Sequence, residues 1–150
     1  TLAEAPGGEN PGGFGLLMID AFSSDAIPAH LLTREALALY LAKLSPTGVL
    51  VMHITNRHLD LGRIVARVGA EFDLSTFVAR EAFAFDPVRF RAAGTVALLA
   101  RDPAHLGTLA ADPAWERIGP DRARRPWTDD FSNILQAMAD KHALPRRSND

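Results

Sequence analysis

Cysteine is absent from all 150 residues, which excludes a disulfide framework and any thiolate metal site. Neither sign of charge dominates: 16 Lys and Arg stand against 18 Asp and Glu, a net charge of −2. That balance argues against a nucleic-acid binder that works by neutralising phosphates. The one basic cluster, Arg122, Arg124 and Arg125, is short and reads as a solvated loop. Long apolar runs are also missing. The longest are six or seven residues, far below the ~20 needed to cross a bilayer. Residues 1–13 are Gly/Pro-rich and acidic, without the basic-then-apolar plan of a signal peptide. The five histidines, His30, His53, His58, His105 and His142, show no ligand spacing, so no metal is expected. These absences predict a cytoplasmic chain with no nucleic-acid partner and no membrane contact of its own.

With 47% hydrophobic residues, the chain has enough apolar content for one domain. Residues 1–13 read as a loop leading directly into Phe14-Gly15-Leu16-Leu17-Met18-Ile19-Asp20. A short apolar run without alternation suits a strand buried on both faces. Thr33 is a good N-cap for a helix with Glu35 in its positive first turn. Leu37, Tyr40, Leu41 and Leu44, at i, i+3, i+4 and i+7, form its apolar face. Ser45-Pro46-Thr47-Gly48 stops that helix, and Val49 to Ile54 is the next strand, with His53 mid-strand as a core residue.

Asp60 can cap a second helix with the stripe Leu61, Ile64, Val65, Val68 and Phe72. Leu74–Ala79 and Thr95–Ala100 read as further strands. Asp102-Pro103 and Asp112-Pro113 each place a cap before a proline, predicting two short helices. Thr128-Asp129-Asp130 opens a last helix with Phe131, Ile134, Leu135 and Met138 on its apolar face. Residues 144–150 read as a frayed tail. Alternating strands and helices predict an α/β fold with a mostly parallel sheet. Ligands of such sheets sit outside the carboxyl ends of the strands. Those ends are Asp20–Asp25 and Thr55–Arg57.

The strand-end segment Leu17-Met18-Ile19-Asp20-Ala21-Phe22-Ser23-Ser24-Asp25-Ala26-Ile27-Pro28 resembles that of the spermidine synthases, where an apolar strand finishes in Asp-Ser-Ser-Asp-Pro or a close relative. His30 to Ala36, Gly48-Val49-Leu50, His53-Ile54-Thr55-Asn56-Arg57 and Pro126-Trp127-Thr128-Asp129-Asp130-Phe131-Ser132-Asn133 continue the likeness in order. The combination is most similar to the spermidine-synthase-like proteins often fused to membrane transporter segments. It runs from about Phe14 to Leu135, with a weak middle between Asp73 and Ala93.

The resemblance implies a Rossmann-like, S-adenosylmethionine-dependent methyltransferase fold, of which residues 14–135 are the C-terminal half. It also implies transfer of an aminopropyl group from decarboxylated S-adenosylmethionine to a diamine such as putrescine. The nucleophile must be an unprotonated amine, yet a free alkylamine titrates near pH ~10. A strand-end carboxylate can take that proton, and in-line alignment supplies much of the remaining acceleration. The family's strand-end Asp falls on Asp20, and its second Asp on Asp25. Ser23 and Ser24, with Asp129 and Asp130, are the further candidates for the amine, and Pro28 and Leu31 for the co-substrate.

Each assignment has a plainer reading. Asp20, Ser23, Ser24 and Asp25 are ordinary turn residues. Asp129 and Asp130 suit a helix's first turn, and Trp127 suits packing better than an adenine stack. The family places two residues between its aspartates, whereas four (Ala21, Phe22, Ser23, Ser24) intervene here. Tyr40 is the single tyrosine, so the family's catalytic tyrosines have no counterpart. A methyltransferase with another acceptor, or a non-catalytic ligand-binding domain, therefore stays open.

The glycine-rich nucleotide loop belongs to the first strands of this fold, and nothing in residues 1–13 fits it. The reading is thus of one partial domain that supplies the acceptor side of the site and is inactive in isolation. In the methyltransferase-like sheet the strand Phe14–Asp20 is central. Without a neighbour, Gly15 to Ile19 is expected as an exposed edge, apolar on both faces, through which copies associate.

Overall fold

The computed structural model of the chain describes residues 12–20, 29–56, 59–81, 94–135 and 138. Its elements are β1 (Phe14–Ile19), α1 (Arg34–Lys43), β2 (Leu44–His53), α2 (Leu61–Gly69), β3 (Ser75–Glu81), β4 (Gly94–Ala100) and β5 (Glu116–Ile118). Single turns of 3₁₀ helix cover Ala29–Leu31 and Ala70–Phe72, and a kinked 3₁₀ segment covers Pro103–Ala111. The architecture is mixed α/β, with one five-stranded sheet in the order β1-β2-β4-β3-β5.

The expected mostly parallel sheet is corrected by the pairing. β1 and β2 pair parallel, while β2–β4, β3–β4 and β3–β5 pair antiparallel. Strands β1, β2 and β3 do run in one direction, as their crossovers α1 and α2 require. β4 inserts between β2 and β3 and runs against them. Its residues Ala97, Leu98, Leu99 and Ala100 are all buried, their two faces covered by the layers packed on the sheet and their backbone groups paired by β2 and β3 on either side.

Side-chain alternation gives the sheet two cores. On one face Ile19, Leu50, Met52 and Leu99 pack with Leu37 and Tyr40 of α1, Val65 and Val68 of α2, and Trp127. On the other, Phe77, Leu98 and Ala100 pack with Leu106 of the 3₁₀ segment, and Val49, Val51, Ala110 and Trp115 flank them. That segment leaves β1 bare. Leu17 and Ile19 face the first core, whereas Phe14, Leu16 and Met18 are exposed, the last two at 57% and 60%. Among the described residues β1 is thus an edge strand, apolar on both faces as expected, with one face turned to solvent and the other to the first core.

Several boundaries differ from the sequence reading. Chain direction reverses without a loop at Leu44, which ends α1 with extended φ and ψ and begins β2. The stop segment survives inside β2: the ladder passes from Phe14↔Leu44 to Leu16↔Val49, so residues 45–48 lie in the irregularity. Gly48 is required there, because a Cβ would stand 2.7 Å from the Phe14 carbonyl oxygen. Arg101, just past β4, donates to the carbonyls of Ser45 (2.8 Å) and Leu41 (3.3 Å), a cation placed at the negative end of α1. Asp112 accepts from the Ala114 N–H at 2.8 Å but caps only a turn. Instead of the expected second short helix, β5 follows along the edge of β3.

The helix expected to open at Thr128 is likewise displaced. Residues 128–131 form a tight turn in which Thr128 and Phe131 exchange backbone bonds of 2.9 and 3.0 Å, and helical residues begin at Ile134. Leu135 and Met138, expected on an apolar face, are exposed. Among the described residues, no helix is long and apolar enough to cross a membrane.

Candidate functional site

Because β1, β2 and β3 run together, their carboxyl ends lie along one margin of the sheet. Ile19 pairs with Met52, so the next residues, Asp20 and His53, stand side by side. Ile19 and Met52 point into the first core. Alternation therefore turns Asp20 and His53 to the opposite face, the one that carries Leu16 and Met18. There the Nδ1 of His53 lies 2.8 Å from Oδ1 of Asp20. Thr55, two residues on and so on the same side, has its hydroxyl 2.6 Å from Nε2 of His53. The backbone N–H of Thr95, at the start of β4, donates to that hydroxyl at 2.8 Å. A carboxylate, an imidazole and a hydroxyl are thus joined in one chain fixed to the sheet. The Asp20 side chain is 64% exposed and that of His53 36% exposed, so the acidic end faces solvent.

His53 is accordingly corrected from a core residue to the last, half-exposed residue of β2. The signal was present in the sequence. Leu50, Met52 and Ile54 form one face of the strand, and His53 falls with Val49 and Val51 on the other. Only the parallel register of β1 against β2 shows that this second face ends beside Asp20.

The other candidates divide. Ser23, Ser24, Asp25 and Pro28 lie outside the described residues. Leu31 closes the first 3₁₀ turn, half-buried, and its carbonyl accepts from the Tyr40 hydroxyl at 3.3 Å. Its backbone thus helps to seat α1. Burial removes water from the Tyr40 phenolate and pushes its pKa above the ordinary 10.0.

Asp129 accepts from the Thr33 hydroxyl at 2.7 Å, and its own N–H donates to Glu35 at 3.1 Å. It serves the N-terminus of α1 rather than a helix of its own. Asp130 is exposed in the same turn. The crossover places the start of α1 at the carboxyl margin, but Asp20 and Asp129 enter separate hydrogen-bond networks.

Sequence reasoning also passed over a second feature. A cavity of about 310 Å³ opens between α2 and residues 121–133, lined by Arg63, Arg67, Arg124, Arg125, Trp127 and Phe131 among others. Its arginines are engaged. Arg63 pairs with Asp60 at 3.5 Å, Arg67 with Glu71 at 2.6 Å, and Arg124 with Asp121 at 2.6 Å. Arg67 also donates to the Arg124 carbonyl at 2.6 Å, and Arg125 lies 4.3 Å from the centre of the Phe131 ring. Arg122 and Arg125 are exposed and Arg124 is half-exposed, as expected of a solvated loop, and the tie to α2 is made by Arg67 to the loop's backbone. Trp127 packs in the first core.

Asp60 holds the N-cap position of α2 without bonding a helix N–H. Its carboxylate turns instead to Arg80 of β3, 3.3 Å away, which also reaches Glu116 of β5 at 2.9 Å. Among the described residues, no group of three or more His, Cys, Asp or Glu is placed to hold a metal ion. Compared with known proteins, the chain matches no family model, no curated protein and no solved structure.

Proposed function

We propose that this chain forms the acceptor side of a spermidine-synthase-like aminopropyltransferase. The observation that carries the reading is the Asp20 carboxylate at the carboxyl end of β1, solvent-facing and held by His53. A diamine is cationic near neutral pH, and an ionised carboxylate attracts it and accepts its proton. The freed nitrogen lone pair then attacks the aminopropyl carbon next to the sulfonium of decarboxylated S-adenosylmethionine. A C–N bond forms, the C–S bond breaks, and sulfur keeps the electron pair as a neutral thioether. Asp20 holds the proton released from nitrogen. Supporting the reading are the ordered motifs from Phe14 to Asn133 and the β1–α1–β2 crossover that gathers Asp20, Thr55 and the start of α1 at one margin.

The chain's location is proposed as cytoplasmic, and its partner as a second copy joined through the β1 edge. Calorimetric titration with putrescine, decarboxylated S-adenosylmethionine and S-adenosylmethionine tests the function. Heat from putrescine, lost in Asp20→Asn, is expected. Binding of S-adenosylmethionine without any response to putrescine would instead favour a methyltransferase with another acceptor.

A further inference from the structure

Asp20, His53 and Thr55 are joined by contacts of 2.8 and 2.6 Å, and the tautomer of the imidazole decides what they do together. An ionised carboxylate only accepts, so the bond to Asp20 requires a hydrogen on Nδ1 of His53. Thr55 already accepts the Thr95 N–H and still has its own hydrogen to give. In the neutral imidazole that hydrogen goes to Nε2. In the imidazolium the hydroxyl turns, and its second lone pair accepts from Nε2–H. Both states keep Nδ1–H on Asp20. The remaining neutral tautomer sets a lone pair against the carboxylate and breaks the chain.

We infer that His53 is a positioning residue: with its Nδ1–H tautomer fixed by the Asp20 carboxylate and matched at Nε2 by Thr55, it holds Oδ1 of Asp20 so that Oδ2 is presented to a primary-amine ligand. This rests on the amine-accepting reading of Asp20. It adds the division between a held oxygen and a working one. The arrangement also gives the bond between Thr95 and Thr55 a purpose beyond joining β4 to the end of β2. It anchors the far end of the chain to the backbone of β4.

The test uses the chain itself and needs no turnover. Long-range ¹H–¹⁵N spectra of the His53 ring are expected to show the Nδ1–H form in wild type, in Thr55→Ser and in Thr55→Val, and mixed tautomers in Asp20→Ala. An Nε2–H ring in wild type overturns the inference. Putrescine, titrated while the carboxyl ¹³C of Asp20 is followed, is expected to give a saturable shift. His53→Leu should weaken its apparent affinity about tenfold, as for one hydrogen bond to a charged group. His53→Asn, which restores a donor near the Nδ1 position, should recover it. Equal affinity in wild type and His53→Leu, or no recovery in His53→Asn, overturns the positioning role. A wild-type ring of the Nδ1–H form with no response to putrescine supports the tautomer lock but overturns the amine reading of Asp20.

Discussion

Thr33 and Asp129 are 96 positions apart in sequence, yet the Thr33 hydroxyl donates to the Asp129 carboxylate at 2.7 Å while accepting the Ala36 N–H at 3.2 Å. The carbonyl of Trp127 accepts from the Arg34 N–H at 2.9 Å, so two free donors of the first turn of α1 are met. The negative charge of Asp129 also sits at the positive end of that helix. Removing this cap should cost what caps ordinarily cost. Thr33→Ala and Asp129→Ala are each expected to lower the stability of the chain by about 1 kcal/mol. Because the two residues share one bond, the double variant should lose less than the sum of the single losses. Urea unfolding of the four proteins measures it, and strict additivity would show that the bond contributes nothing.

Asp20→Asn keeps the shape of the strand end and removes the base. In the intact enzyme proposed above, aminopropyl transfer is expected to fall by about 10²–10⁴-fold. Since the side chain is 64% exposed, the melting midpoint should hardly move. A steady-state assay alongside a thermal melt separates the two effects. Unchanged turnover would remove Asp20 from the chemistry.

At the β1 edge, Leu16 and Met18 face solvent while Leu17 faces the core. The chain is expected to self-associate at micromolar concentration through this strand. Met18→Lys should shift it toward the 16.2 kDa monomer. Leu17→Lys should destabilise the fold instead, by placing a charge against the first core. Size-exclusion chromatography with light scattering decides, and a wild-type monomer at those concentrations would rule out pairing through the edge.

Tyr40 makes stability depend on alkaline pH. Its folded pKa is raised above 10.0 by burial, so in the unfolded chain the phenol releases its proton first. The unfolded state then binds fewer protons than the folded one, and stability falls as pH rises from about 10 toward the folded value. Below that window the contribution is fully present. Tyr40→Phe should flatten this part of the profile, as urea midpoints between pH 9 and 11 will show. An equally steep decline in the variant would assign the effect to other groups.

Leu50, fully buried at the centre of β2, tests the core assignment. Leu50→Ala is expected to lose about 2–5 kcal/mol in chemical unfolding, the range for emptying a buried leucine site. A loss under about 1 kcal/mol would mean that the two faces of β2 have been exchanged.

What the sequence determined by itself is local. The apolar runs placed β1, β3 and β4 to within two residues and the second half of β2, Thr33 marked the start of α1, and the 3.6-residue stripe identified the buried side of α2. The strand-end position of Asp20 followed from the same pattern. Each depends on neighbours in the chain, through propensity, capping and periodicity.

Pairing was decided only by the tertiary structure. Whether β4 adds at the edge or inserts between β2 and β3 depends on which arrangement both pairs its backbone on two edges and covers its two apolar faces, a comparison between whole packings. The site follows the same rule. His53 reads as a core residue until the register of β1 on β2 brings its ring to Asp20, and Asp129 reads as the cap of its own helix until the chain returns it to Thr33. Such contacts join residues 33 and 96 positions apart. No local pattern encodes them, because the energy that selects them belongs to the assembled sheet and its two cores.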